Sequence, residues 1–184
     1  MREGLFLLRV TTIFSMQQNS GAILDFIENI FSMLGNPIVI YAVLGIQYLI
    51  VKQRIRTLVH LTYLMIGLYF MVILKQAFQE SRPFWYNINI DIIEWFCPVD
   101  FGNPSGHSFI AFAMYEPLLS DFVGTGKKKV FLIIWVVVAV LVIISRMYLG
   151  AHSLDQVVYG SLIGLSFLVI YRFWFQQFLY DTYR

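Results

Sequence analysis

Cysteine is nearly absent from this chain, and charge is scarce. Cys97 stands alone, which excludes an intrachain disulfide and a cysteine-based zinc site. Only 13% of the 184 residues are charged, against 59% hydrophobic, and the mean hydropathy is +0.71. A soluble domain of this length would carry about twice that share of charge, so the chain reads as an integral membrane protein. The net charge of +2 gives no basis for nucleic-acid binding. Glycosylation finds no acceptor in Asn103-Pro104-Ser105, because proline in the middle position disqualifies it.

Apolar runs dominate what is present. Residues 37–51, 58–74, 130–144 and 157–171 are clear, and 109–123 is a weaker run containing Glu116 and Asp121. With their flanks, all five reach the roughly 20 residues that a helical span requires. The expected fold is an all-α integral membrane protein with a bundle of five transmembrane helices. Residues 21–34 place Ile23, Phe26, Ile27, Ile30 and Phe31 at helical spacing, with Asp25 and Glu28 opposite. This predicts an amphipathic helix on the membrane surface. Residues 1–16 are apolar but short and carry Arg9; they read as either a sixth span or a second surface helix. The resulting organisation is an interfacial segment over 1–34, a transmembrane domain over 35–175 and a cytosolic tail over 176–184.

Three short blocks stand out against this apolar background. They are 75–83 (KQAFQESRP), 104–107 (PSGH) and 145–152 (SRMYLGAH). Alternating helix directions put all three on one membrane face, a convergence that structure alone does not demand. Intramembrane or helix-end charge is costly unless it has a function. Lys75, Arg82 and Arg146 suit the oxygens of a phosphoryl group, the arginines as planar forks. His107 and His152 can supply a proton donor and a nucleophile. Pro83 biases Arg82 to extended backbone. Pro104 and Ser105 lead into a helix whose first N–H groups, at Ser105 and Gly106, are expected to face an anion. Gly106 lets the backbone approach closely. The opposite face carries Lys52, Arg54, Arg56 and Lys127, Lys128, Lys129. The positive-inside rule therefore assigns those loops to the cytosol and the site to the lumenal or extracellular side. Phe84, Trp85, Tyr86, Trp95 and Phe96 read as an interfacial belt, and residues 90–96 as a short helix over the site. His60 and Glu116 read as polar residues with partners, Glu116 alternatively as lining a groove. Gly160 and Gly164 read as a close helix–helix contact.

The three blocks resemble the type 2 phosphatidic acid phosphatase superfamily, whose pattern is Lys-x6-Arg-Pro, Pro-Ser-Gly-His and Ser-Arg-x5-His-x3-Asp. The first two match in full, and the third matches at Ser145, Arg146 and His152. The resemblance runs from about residue 34 to 171. It implies a phosphatase with His152 as the nucleophile forming a phosphohistidine, and His107 as acid and then base. Lys75, Arg82, Ser105, Gly106 and Arg146 would bind phosphate, with Pro83, Pro104 and Ser145 structural. It implies no metal and no cofactor. The last position departs from the pattern: Gln156 stands where the family has Asp, and Asp155 is the alternative for orienting His152. The glucose 6-phosphatase branch of the superfamily likewise has Gln there. The expected partner is a lipid phosphate or diphosphate together with membrane lipids; a homo-oligomer and a larger membrane complex are both compatible with this. The other readings are a sugar-phosphate phosphatase and a non-catalytic lipid-binding subunit that retains the fold.

Overall fold

The computed structural model describes residues 2–18, 20–95, 98–120, 123 and 125–183, with side chains from Arg9 onward. Helix α1 covers Arg2–Gln17, α2 Ala22–Leu34, α3 Pro37–Leu49 and α4 Arg54–Phe78. A single turn, α5, covers Pro83–Tyr86. Then follow α6 at Gly106–Ala113, α7 at Tyr115–Leu119, α8 at Lys128–Tyr148, α9 at Leu154–Ile170 and α10 at Gln176–Tyr183. Phe96, Cys97 and Asp121, three positions weighed from sequence, lie outside the described residues.

Among the described residues, three stretches are long and apolar enough to cross a membrane: Arg54–Tyr86, Lys128–Tyr148 and Leu154–Tyr183. A fourth exists if α2 and α3, bent by 56° at their junction, act as one span. The bend follows from local chemistry. Gly35 ends α2, the Asn36 side chain caps Ile38 N–H, and Pro37 opens α3. The chain is thus an all-helical integral membrane protein. Its lipid-facing surface is apolar, as Ile133, Ile134, Val136 and Val137 on α8 remain exposed.

Three segments show local structure that the sequence does not announce. The 109–123 run divides at Met114 into α6 and α7, whose residues are mostly buried inside the bundle. Helix α2 turns Ile23, Phe26, Ile27 and Ile30 outward, while Asn29 and Ser32 are buried against the protein. Its polar side therefore serves the interior rather than water. The boundary expected at 175 falls within one helical run, where a π-turn at Tyr171–Phe175 joins α9 to α10. Leu179 on α10 is buried in the main core.

That core joins Ile40 and Leu44 of α3, Val59, Tyr63, Leu64 and Met71 of α4, and Phe109, Ile110 and Ala113 of α6. Tyr63 stacks on Tyr171 with centroids 4.1 Å apart. Helix α9 presses directly onto α6: a Cβ at Gly160 would lie 2.3 Å from the Ser105 carbonyl, and one at Gly164 2.7 Å from that of Phe109. The paired glycines are a packing device, and they seat the start of α6. Glu116 likewise has a structural partner, a two-oxygen ion pair with Arg172.

Candidate active site

The ends of α4, α6, α8 and α9 converge on one cavity of about 530 Å³. Lys75, Arg82, Gly106, His107, Arg146 and His152 all line it, together with the apolar Leu68, Met71, Val72 and Ile110. Each side chain is delivered by a distinct local device. Lys75 sits in the last turn of α4. Arg82 is the N-cap of α5 with extended backbone, φ −76° and ψ 155°, as expected ahead of Pro83. Arg146 ends α8, and Gly150, at φ +73°, turns the chain back toward His152. His152 immediately precedes Ser153, the N-cap of α9.

Arg82 and Arg146 are almost fully enclosed, with side chains 3% and 1% exposed, and Lys75 is 12% exposed. Buried cations of this kind require anionic partners and filled hydrogen bonds. Asp100 supplies one, spanning Lys75 Nζ at 2.7 Å and the Arg82 guanidinium. Glu94 supplies the other, gripping Arg146 with both oxygens. Backbone carbonyls complete the set: Lys75 donates to Phe101 and Arg82 donates to Asp100 and Ala151. Ser32 on α2 also accepts from Arg146.

Arg82 Nη1 lies 3.1 Å from His152 Nε2. A guanidinium can only donate, so Nε2 is the acceptor and the neutral ring carries its proton on Nδ1. Nδ1 is buried without a partner among the described residues. Both histidines lie outside the spans. Burial, followed by the charges of Arg82, Arg146 and Lys75, holds the pKa of His152 well below the ordinary histidine value. His107 is lowered in the same way, by burial and then by Arg146, Arg82 and Lys75. At Asp100 burial pushes the pKa up, but the hydrogen bonds and charges of Lys75 and Arg82 outweigh it and leave it below the usual carboxylate range.

The structure corrects four expectations. Gln156 does not reach His152: its Oε1 accepts Ser153 N–H and its Nε2 donates to the Ser81 carbonyl. Asp155 does not reach it either, being paired with Arg9 and accepting from Ser153 Oγ. The Ser105 N–H does not face the cavity, because it donates to the Gln156 carbonyl at 3.0 Å while its hydroxyl caps α6. Only Gly106 of that pair lines the site, with open space above it where a Cβ would be. Residues 90–95 form an irregular strap rather than a helix. Asn29 pins that strap on both sides of Glu94, through Ile93 O and Trp95 N. Ser145 bonds to the Val142 carbonyl inside α8, and Pro83 and Pro104 are buried, so all three stand clear of the cavity.

Glu94 and Asp100 carry no mark in the sequence that sets them apart as partners of the buried cations. Gln156 carried a readable signal of another kind: Ser153-x-x-Gln156 is a capping box, and the structure forms it. Among the described residues no group of three His, Cys, Asp or Glu is disposed to hold a metal ion.

The chain is 42% identical over 100 residues to phosphatidylglycerophosphatase B of Bacillus subtilis, covering 50% of this chain and 45% of that one. It is 31% identical over 124 residues to glucose-6-phosphatase catalytic subunit 1 of Mus musculus, covering 55% of this chain and 35% of that one. The chain therefore spans between about a third and half of the curated relatives it matches. In fold it resembles a transmembrane PAP2-type phosphatidylglycerolphosphate phosphatase from Bacillus subtilis, with TM-score 0.72, 24% identity and coverage of 90% and 84%. It also resembles Aquifex aeolicus LpxE, with TM-score 0.69, 22% identity and coverage of 89% and 93%. A match to the PAP2 superfamily model extends over residues 56–180, taking in both histidines, all three cations and the helices that bring them together. On that match the chain belongs to the PAP2 superfamily.

Proposed function

We propose that the protein is a membrane phosphatase that hydrolyses a lipid phosphate or diphosphate through a phosphohistidine on His152, without a metal. The observation that carries this reading is the mixed lining of the cavity. Lys75, Arg82 and Arg146 line it together with Leu68, Met71, Val72 and Ile110. A neighbouring cleft lined by Met33, Ile38 and Trp95 also borders Glu94 and His107. A phosphorylated headgroup suits the cations, and an acyl or prenyl chain suits the apolar residues beside them.

The substrate phosphate takes the places now held by the Asp100 and Glu94 carboxylates. His152 Nε2 then attacks phosphorus as the bond to the leaving oxygen breaks, and three fixed cations balance the charge that spreads over the phosphoryl oxygens. His107 gives its proton to the leaving oxygen. It next takes a proton from water, whose oxygen attacks the phosphohistidine and frees inorganic phosphate and His152. In the empty site burial and the neighbouring cations keep both rings neutral. A bound phosphate dianion offsets those charges and so favours the protonated His107 that the first step needs. The charge pattern of the loops supports a site on the lumenal or extracellular face.

A second reading, a sugar-phosphate phosphatase, draws on Gln156 and the likeness to the mouse glucose-6-phosphatase subunit. Phosphate release in detergent micelles, with EDTA present, separates the two. The compounds are phosphatidate, a sphingoid phosphate, a polyprenyl diphosphate, phosphatidylglycerophosphate and glucose 6-phosphate. Preference for any lipid supports the first reading, and preference for the sugar phosphate supports the second. Release from none of them would favour the non-catalytic subunit.

A further inference from the structure

We propose that Arg9, on α1, is a positioning residue that fixes the geometry of the phosphate cradle from outside the cavity, an inference that rests on the phosphatase reading. Helix α1 precedes the family-matched region 56–180. Arg9 interrupts an otherwise apolar stretch, and its side chain is only 18% exposed. Its guanidinium forks between two carboxylates distant in sequence: Nη1 pairs with Glu80 and Nη2 with Asp155.

Each carboxylate is built into a segment that bears part of the site. Glu80 lies two residues before Arg82. Its Oε2 accepts from Asn103 Nδ2 at 2.7 Å, and its carbonyl accepts from Gly102 N–H at 2.8 Å. Glu80 therefore holds the segment that enters Pro104–His107. Asp155 accepts from Ser153 Oγ at 2.7 Å, next to His152. One planar cation thus links the arginine segment, the approach to His107 and the turn that presents His152. Arg9, Glu80 and Asp155 do not line the cavity. Arg9 is consequently not a fourth phosphate ligand, and its two acids hold its charge in place. Lysine, a point charge, can serve one of these acids well but not both in the same plane.

The reacting groups of such a site tolerate little displacement, since a shift of about 1 Å can cost on the order of a hundredfold in rate. The test uses the full chain in detergent and measures orthovanadate binding by calorimetry beside thermal unfolding. Arg9→Gln is expected to weaken vanadate binding about tenfold while the unfolding midpoint stays near the wild-type value, with Arg9→Lys intermediate. The Arg9→Gln/Asp155→Asn pair is expected to lose no more than the worse single variant, since the two groups act as one link. Wild-type affinity in folded Arg9→Gln, or losses that simply add, would overturn the inference and leave the phosphatase reading standing. If Arg9→Gln fails to fold, Asp155→Asn and Glu80→Gln remove one link each. Several-fold weaker binding in both supports the inference, and unchanged binding in both overturns it. No vanadate binding in the wild type would overturn the phosphatase reading and this inference with it.

Discussion

Arg82 Nη1 donates to His152 Nε2 across 3.1 Å, aiming a fixed positive charge at the ring nitrogen that faces the cavity. The contact leaves that nitrogen unprotonated, with its lone pair accepting the Arg82 N–H. It also sets a condition on pH. Protonation of His152 would charge a buried ring beside Arg82, Arg146 and Lys75, so the proton binds only in acid more extreme than an ordinary histidine requires. In the free enzyme, kcat/KM is therefore expected to persist as pH falls through the usual histidine range near 6.5 and to decline only below it. Replacing Arg82 with Gln removes one positive neighbour and moves that acid limb upward. A wild-type acid limb at or above 6.5 would contradict the assignment.

Glu94 and Arg146 form an ion pair that, on the proposed mechanism, the substrate phosphate opens. Glu94→Gln leaves a cation that is 1% exposed without its counter-charge, a change that typically costs about 3–5 kcal/mol. The variant is expected to unfold at lower temperature in phosphate-free detergent and to recover most of that loss when orthophosphate is added. Its orthophosphate affinity should exceed that of the wild type, because the competing carboxylate is gone. Equal affinity in the two proteins, measured by calorimetry, would show that phosphate does not use the Arg146 position.

Gln156 uses both ends of its amide. Gln156→Glu keeps the acceptor for Ser153 N–H but sets a carboxylate oxygen against the Ser81 carbonyl, where a donor now stands. An unmade buried hydrogen bond of this type costs about 1–3 kcal/mol. Thermal unfolding should shift down accordingly, and the family's usual carboxylate, introduced as Gln156→Asp, should not raise kcat. A gain in kcat for Gln156→Asp would mean that position 156 orients His152 after all.

The close approach of α9 to the start of α6 leaves no room at Gly160. Gly160→Ala must move either Ser105 or α9, because its Cβ would meet a backbone oxygen at 2.3 Å. Activity is expected to fall at least tenfold even in the folded fraction, since a shift of a few tenths of an ångström propagates to Gly106 and His107. Gly45→Ala, with nothing within 4 Å, serves as the neutral control. Equal activity in the two variants would contradict the argument.

The helices and five of the cavity-lining residues were legible because they leave local marks. Lys75, Arg82, His107, Arg146 and His152 lie at the ends of apolar runs, where a charge or imidazole is conspicuous. Other contacts depend on long-range placement. Glu94 and Asp100 belong to an irregular strap with no periodicity, and nothing local distinguishes a cation's partner from a solvated acid. Arg9 and Asp155 are 146 residues apart, beyond any spacing rule. The role that the resemblance implies for Gln156 is not met, because a motif position does not show which backbone groups already hold the side chain. The 109–123 run was long enough on paper, but Met114 divides it, and its burial in the bundle rather than in lipid accounts for the apolar composition.

The central claim is that His152 becomes covalently phosphorylated, and rapid acid-free quenching of a 32P-labelled lipid phosphate reaction, run with EDTA, tests it most directly. The account predicts acid-labile, base-stable label on the wild-type chain, none on His152→Ala, and accumulation on His107→Ala if the second step stalls without its base. Phosphate release by folded His152→Ala at the wild-type rate, or label that survives acid, would contradict it.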